Sequence, residues 1–273
     1  MFLLLQVIVS LSLGLIYYYH LNFATELMVI FKVILLFIGV NIGMIIIILL
    51  MFLIFVYATE KTSKTAMWKH KIYHHFNVYI FNVLYRVKPI IIGKENLPTD
   101  NNFVVYSNHI EYTDPLYIKQ AYHNFPLAFV SKEELFKYPF MRNVLRGTGC
   151  ISLSRKAGDR QALQAVLEAI NSVKNGQPMG IFPEGTRSHS NTMQEFKSGS
   201  FKIAQKAQAD ISPIVLCNMH KTIDIFKFFK AKVYLRILPL IKYEEYKDMD
   251  TNQLSNFVFD KINDQLCTLK EIN

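Results

Sequence analysis

Cysteine is scarce in this sequence, and the nucleophile motif of common hydrolases is missing from it. The three cysteines, Cys150, Cys217 and Cys267, lie far apart and form no CxxC pair, so we expect neither a disulfide framework nor a zinc site. Cys150 and Cys217 each lie in an apolar run, which favours small buried thiols. No Ser or Cys occupies an elbow such as GxSxG, so a covalent serine or cysteine mechanism is not predicted.

Charge is nearly absent from the start of the chain. Residues 1–59 contain Glu26 and Lys32 as their only charged side chains, so the formal net charge of +9 belongs to the remainder. A basic body behind an apolar leader indicates attraction to anionic lipid headgroups or phosphorylated substrates. Nucleic acid is not an expected partner, because the sequence has no zinc finger, RNA-binding aromatic signature or long basic helix.

Two apolar runs fill the leader. Residues 2–19 are near the lower length limit for a membrane span, whereas residues 33–57 exceed the ~30 Å thickness of the hydrocarbon core. We predict a two-helix membrane hairpin, with a single span or a re-entrant pair as alternatives. A signal peptide is disfavoured, because no Lys or Arg precedes the first run. Lysines cluster after the second run, and this positive-inside bias predicts that the body lies on the cytoplasmic face.

Residues 60–87 form a segment between the leader and the body. Apolar residues follow helical spacing across residues 67–86, with His and Lys elsewhere, which predicts an amphipathic helix at the membrane surface. Packing of this helix on the soluble body is the alternative. Adjacent His74 and His75 point to different helix faces, so no metal site is predicted there.

Residues 88–273 alternate short β-rich runs with helical stretches. The predicted strands are residues 89–93, 103–107, 127–130, 149–154, 179–182, 212–217 and 233–240. The predicted helices are residues 115–122, 139–146, 157–174, 200–208 and 252–270. This alternation predicts an α/β fold, with a mostly parallel sheet flanked by helices. Ligands in such folds bind at the loops that follow the C-terminal ends of the strands.

The first chemical motif follows the predicted strand 103–107. His109 and Asp114 share one strand-to-helix loop, and Pro115 suits the first turn of the next helix. There the Asp114 carboxylate can fix the imidazole tautomer and stabilise the ring once it has taken a proton. The alternative is that Asp114 only caps the helix and His109 is a polar loop residue.

The second motif, FPEGTRS at residues 182–188, also follows an apolar run. Gly185 permits an unusual backbone turn, and Thr186 and Arg187 can donate hydrogen bonds to an oxyanion. Arginine is well suited to bidentate recognition of phosphate. An ordinary turn with an internal pair between Glu184 and Arg187 is the alternative.

Two further loops carry cations. Arg155 follows the predicted strand 149–154, and Lys197 precedes Gly199 at the start of a predicted helix, where free backbone N–H groups favour anions. Each cation alone is typical of a solvated surface. Together with Arg187 they lie on separate loops that we expect to converge on one site.

In this order the motifs resemble those of the glycerolipid acyltransferase family. The order is NHxxxxD, then a strand ending in Arg, then FPEGTRS, then an apolar strand that contains Pro213. The resemblance covers roughly residues 88–217 and is strongest to the bacterial 1-acyl-sn-glycerol-3-phosphate acyltransferases. It implies an α/β acyltransferase domain that rests on the membrane through N-terminal helices.

The resemblance also implies roles for individual residues. His109 would be the general base and Asp114 its partner. The substrate-binding residues would be Arg155, Glu184, Gly185, Thr186 and Arg187, with Lys197 added from the loop described above. One departure is that Ser152 and Ser154 stand where the family usually has an aromatic and an acidic residue.

The activity implied is direct acyl transfer to the sn-2 hydroxyl of 1-acyl-glycerol 3-phosphate, which gives phosphatidic acid. The donor would be acyl-coenzyme A or acyl-carrier protein, and the other partners are the lysophospholipid acceptor and membrane lipids. No cofactor and no metal are expected. The alternatives are another acceptor, such as glycerol 3-phosphate or a different lysophospholipid, a membrane-bound lipid hydrolase, or a catalytically silent scaffold.

Overall fold

A computed structural model describes residues 2–20, 26–154, 160–223 and 229–271. The chain divides into two compact units, Met1–Ala58 and Thr59–Asn273.

The first unit is formed by apolar helices. Helix α1 spans Phe2–His20, and helix α2 spans Glu26–Thr59. The segment Met28–Thr59 of α2 is long and apolar enough to cross a membrane, since its 32 residues extend well beyond ~30 Å. In α1 the apolar stretch is the shorter Val7–Ile16. The described residues therefore contain one helix that is a candidate membrane span by length and composition, and the two-helix hairpin stays a prediction.

The second unit is built on a sheet of seven strands, counted among the described residues. The strands are β1 (Val87–Ile92), β2 (Phe103–Ser107), β3 (Ala128–Lys132), β4 (Ile151–Leu153), β5 (Met179–Ile181), β6 (Asp210–Cys217) and β7 (Ala231–Ile237). Their spatial order is β1-β7-β6-β2-β5-β3-β4, and neighbours are parallel except β6 and β7, which are antiparallel. The predicted mostly parallel α/β fold is confirmed.

Helices cover the sheet and connect its strands. They are α3 (Met67–Asn77), α4 (Asp114–Ala121), α5 (Pro139–Gly147), α6 (Arg160–Lys174), α7 (Lys202–Ala207), α8 (Tyr243–Tyr246) and α9 (Thr251–Glu271). The predicted ends of the body's strands and helices differ from these by no more than three residues, and the predicted helix start at residue 157 lies outside the described residues. Helical structure extends over residues 67–84, close to the predicted helix over residues 67–86, but it is α-helical only to Asn77 and π-helical over Val78–Leu84.

Helix α3 belongs to the second unit and packs on α4 through polar side chains. Asn77 donates a hydrogen bond to the Leu116 carbonyl (2.7 Å) and accepts one from Gln120 (3.2 Å). Trp68 and Ile72 remain exposed on the same helix. The packing alternative for this segment is therefore observed, while its contact with a membrane surface stays a prediction.

The core explains why the strands could be recognised. All five residues of β2 are buried, and seven of the eight residues of β6 are buried, as expected for central strands covered on both faces. Cys150 and Cys217 are buried as predicted, whereas Cys267 is exposed.

Because β5 and β2 are parallel neighbours, the loops after them meet at one edge of the sheet. These loops carry the two main motifs.

Candidate active site

The loop after β2 is organised around the carboxylate of Asp114. One oxygen, Oδ2, accepts hydrogen bonds from the backbone N–H of Ile110 (2.6 Å) and of Glu111 (2.9 Å), and it lies 2.9 Å from Nδ1 of His109. Asp114 is fully buried, while 14% of the His109 side chain is exposed. The alternative that Asp114 only caps the helix was wrong, because α4 has no side-chain cap hydrogen bond. The carboxylate instead closes the loop ahead of the helix and contacts the imidazole.

The carboxylate of Asp114 determines which ring nitrogen of His109 carries the hydrogen. Burial raises the pKa of Asp114, and the hydrogen bond and charge of His109, with the two backbone N–H groups, act against that rise. The ionised carboxylate can only accept, so Nδ1 of His109 carries the hydrogen. Nε2 is then the nitrogen with a lone pair, which is the arrangement that a general base requires.

The start of the FPEGTRS loop supports His109 from two sides. The Phe182 ring stacks on the imidazole, with the ring centroids 4.1 Å apart. Glu184 accepts a hydrogen bond from the backbone N–H of His109 (2.9 Å) and another from that of Gln194 (3.2 Å). We expected Glu184 to bind substrate, but its buried carboxylate is engaged with the backbone. Burial raises its pKa to about 7.

Gly185 and Lys197 lie against each other in this loop. Gly185 has a φ of +70°, a left-handed conformation that glycine adopts without strain. A Cβ atom at this position would come within 2.9 Å of Nζ of Lys197. The backbone N–H of Lys197 also bonds to the Pro183 carbonyl (3.0 Å). The ammonium group is therefore placed beside the tight turn, as a convergent site needs, and Thr186 is exposed next to it.

Arg187 is fixed by residues of the first motif. Its Nη1 lies 3.4 Å from Oε2 of Glu111, and its Cζ lies 3.3 Å from the centroid of the Tyr112 ring, a cation–π arrangement. The alternative of an internal pair with Glu184 was wrong, because Arg187 pairs with Glu111 instead.

Two residues of this neighbourhood were missed by sequence reasoning. The buried Glu111 carboxylate contacts Arg187 through Oε2 and Nδ1 of His189 through Oε1, at 2.9 Å. Glu111 lies within the first motif, but His189 is separated from it by 78 positions. No local pattern indicates such a pairing, although both residues lie two positions from a residue that was assigned a role.

Asn108 anchors the same loop to the neighbouring strand. Its side-chain amide donates to the Leu216 carbonyl (2.9 Å) and accepts from the Leu216 N–H (2.8 Å), and all of these groups are buried. The Asn108 side chain thereby makes the hydrogen bonds to β6 that a further residue of β2 would make, at the point where the loop leaves the sheet.

The structure gathers most of the predicted residues at one place. Two loops that are joined by direct contacts carry six of them, namely His109, Asp114, Glu184, Gly185, Arg187 and Lys197. Arg155 lies outside the described residues. Among the residues that the structure describes, no cluster of three His, Cys, Asp or Glu side chains has the arrangement of a metal site.

Known proteins are similar to this chain in both sequence and fold. The acyltransferase family model matches residues 88–217. A 1-acyl-sn-glycerol-3-phosphate acyltransferase from Borreliella burgdorferi is 32% identical over 186 residues, 67% of this chain and 74% of that protein. One from Saccharomyces cerevisiae is 29% identical over 189 residues, 67% of this chain and 60% of that protein.

A solved structure has the same architecture. The crystal structure of the 1-acyl-sn-glycerophosphate (LPA) acyltransferase PlsC from Thermotoga maritima matches with a TM-score of 0.65 and 27% identity, over 79% of this chain and 87% of that one. The two loops that carry the motifs lie within the region that the family model matches. The chain therefore belongs to the acyltransferase family that includes the 1-acyl-sn-glycerol-3-phosphate acyltransferases, and it is an O-acyltransferase.

Proposed function

We propose that this enzyme transfers a fatty acyl group to the sn-2 hydroxyl of 1-acyl-glycerol 3-phosphate and releases phosphatidic acid. The observation that carries the proposal is the contact of 2.9 Å between His109 and the buried Asp114, beside a loop that presents Arg187 and Lys197. A base and a cationic loop together suit an acceptor that has both a hydroxyl and a phosphate. The names of the relatives from two distant organisms describe the same acceptor.

His109 is the proposed general base. Its Nε2 takes the proton of the acceptor hydroxyl as the oxygen attacks the thioester carbonyl. A C–O bond forms, and the tetrahedral intermediate then breaks its C–S bond. The imidazolium returns the proton to the departing thiolate, so the enzyme ends the cycle unchanged. Asp114 stays ionised throughout and stabilises the imidazolium.

The cationic loop is the proposed binding site for the phosphate of the acceptor. Arg187 has a planar guanidinium that suits phosphate oxygens, and Lys197 adds a second positive charge beside Gly185. Thr186 and Arg155 complete the proposed group. Glu184 acts as a positioning residue, because its carboxylate fixes the backbone of His109.

The acyl donor is a thioester of coenzyme A or of acyl-carrier protein. A thioester is already activated toward attack, so the proposed reaction proceeds without a metal or a cofactor. The net charge of +9 favours association with either anionic donor.

The first unit supports a proposal for the membrane location. We propose that α2 makes the enzyme an integral membrane protein and that the second unit lies on the cytoplasmic face, where Lys61, Lys64, Lys69 and Lys71 follow the span. The lipid acceptor and the long acyl chain then reach the active site from the bilayer.

Replacement of the base tests the mechanism. In the full-length enzyme, assayed in membranes, His109→Ala should lower the rate of acyl transfer by about 10²- to 10⁴-fold, since base catalysis is lost. His75→Ala is the matched control, because His75 is exposed on α3 and should keep normal activity. Near-normal transfer by His109→Ala would show that the mechanism is wrong.

An acceptor panel tests the substrate. With one acyl donor and mass detection of products, 1-acyl-glycerol 3-phosphate should be acylated faster than glycerol 3-phosphate, lysophospholipids with larger headgroups and non-phosphorylated alcohols. Preference for another acceptor would replace the proposed one. Release of free fatty acid without any acceptor would instead indicate a hydrolase that uses the same histidine.

A further inference from the structure

The active site contains a second pair of histidine and carboxylate beside the proposed catalytic one. Nδ1 of His189 lies 2.9 Å from Oε1 of Glu111, and only 3% of the Glu111 side chain is exposed. His189 itself is 57% exposed, so its ring is supported from within and open to a ligand from outside. The catalytic role proposed for His109 makes no use of this pair.

Backbone hydrogen bonds fix the second pair next to the first. The N–H of Ser188 donates to the carbonyl of His109 (2.8 Å), and the N–H of His189 donates to that of Ile110 (3.3 Å). The segment with His189 therefore runs alongside the segment with the proposed base. His189 holds a left-handed conformation, with φ of +58°, which is strained for a residue other than glycine.

A single carboxylate sets the positions of two nitrogen donors. Oε1 of Glu111 holds His189, and Oε2 lies 3.4 Å from Nη1 of Arg187. The guanidinium also covers the Tyr112 ring, so its orientation is restricted on two sides. Arg187 and His189 are consequently adjacent and oriented before any substrate arrives.

The charges of Glu111 and Arg187 indicate that this pair needs a further group to attract a phosphate. The negative charge of Glu111 offsets the positive charge of Arg187, so this pair alone is a weak attractor for a phosphate monoester, which carries about −1.5 to −2 near neutral pH. Because Nδ1 of His189 donates to Glu111, the other nitrogen, Nε2, is available to a phosphate oxygen. A monoester brings an ionisable oxygen, and one proton can be shared between that oxygen and Nε2.

We propose that His189 is a second ligand of the acceptor phosphate, positioned beside Arg187 by Glu111, and that it selects phosphate monoesters over phosphodiesters. A phosphodiester headgroup has a single negative charge and no further ionisable oxygen, so it gains less from Nε2. The inference rests on the proposed function, since it assigns a residue to the phosphate site of the same acceptor.

The test compares two acceptors in the full-length enzyme with one acyl donor. In His189→Ala, KM for 1-acyl-glycerol 3-phosphate should rise about 10- to 100-fold, as for loss of one hydrogen bond to a charged group, while kcat stays close to that of the wild type. For 1-acyl-glycerophosphoglycerol, a phosphodiester, KM should change little. The preference for the monoester therefore falls in the variant.

A rescue variant and a control separate binding from a structural role. His189→Lys supplies a cation without the imidazole and should restore much of the affinity for the monoester, whereas His75→Ala on α3 should behave as the wild type. An unchanged KM for the monoester in His189→Ala would overturn the inference. Equal losses with both acceptors, or a loss of kcat that His189→Lys does not restore, would also overturn it.

The proposed function fails in a different way. If the wild-type enzyme does not acylate 1-acyl-glycerol 3-phosphate, the proposed acceptor is wrong whatever His189 does. If the wild type acylates it and His189→Ala leaves KM unchanged, only the role of His189 is refuted.

Discussion

At the scale of single residues, the Glu184 carboxyl group has a raised pKa. Its carboxylate is buried and bonded to two backbone N–H groups. Burial is the largest influence on its pKa and raises it to about 7 from 4.5, whereas the two hydrogen bonds lower it and the charge of Asp114 raises it. The folded enzyme therefore binds this proton more tightly than the unfolded chain does.

This position predicts a dependence of stability on pH. The stability that Glu184 contributes is fully present below about pH 4.5 and is lost as the pH rises toward about 7, by roughly 1.4 kcal/mol for each unit of pKa difference. Glu184→Gln cannot ionise, so its free energy of unfolding should fall less than that of the wild type across this window. Unfolding measured between pH 4.5 and 8 checks this. Parallel curves for the two proteins would contradict it.

The residues of the site were predictable to different degrees. His109 and Asp114 are five positions apart on one loop, so their contact follows from a local pattern. Glu111 meets Arg187 and His189 across 76 and 78 positions. Such a pairing depends on the adjacency of β2 and β5 and on the path of two loops, which no single segment of sequence specifies.

At the scale of elements, Asn108 joins the loop after β2 to β6. Asn108→Ala would leave the buried N–H and carbonyl of Leu216 without these partners, at a cost on the order of 2–4 kcal/mol in the free energy of unfolding. Asn171→Ala, an exposed change on α6, should stay within about 0.5 kcal/mol of the wild type. Thermal or denaturant unfolding compares the two variants, and equal stabilities would refute the structural role of Asn108.

The elements themselves were largely predictable, for a physical reason. Strands such as β2 and β6 are buried on both faces, so they are continuous apolar runs bounded by polar turns. Helix α8 has four residues, too few to show a helical period. The change from α3 to a π-helical segment at Val78 lies in the backbone, and the side-chain pattern across residues 67–86 continues through it.

At the scale of the whole molecule, the cysteines provide a test of topology. Cys267 is exposed, whereas Cys150 and Cys217 are buried. If the second unit is cytoplasmic, a membrane-impermeant maleimide should label inverted membrane vesicles and leave intact cells unlabelled. Cys267→Ser should abolish this labelling, and all three thiols should react after denaturation. Labelling of Cys267 in intact cells would place the second unit on the outer face.

The position of β7 affects how the chain folds as it is synthesised. Among the described strands β1 neighbours only β7, and Val87 pairs with Ala231. A ribosome that adds roughly 5–20 residues per second needs on the order of 10 s to travel between those positions. During that interval the nascent β1 and β6 both present open edges to other chains. The seven-stranded sheet can be completed only after β7 has been synthesised, so a ribosome that stops before β7 releases a chain prone to aggregation.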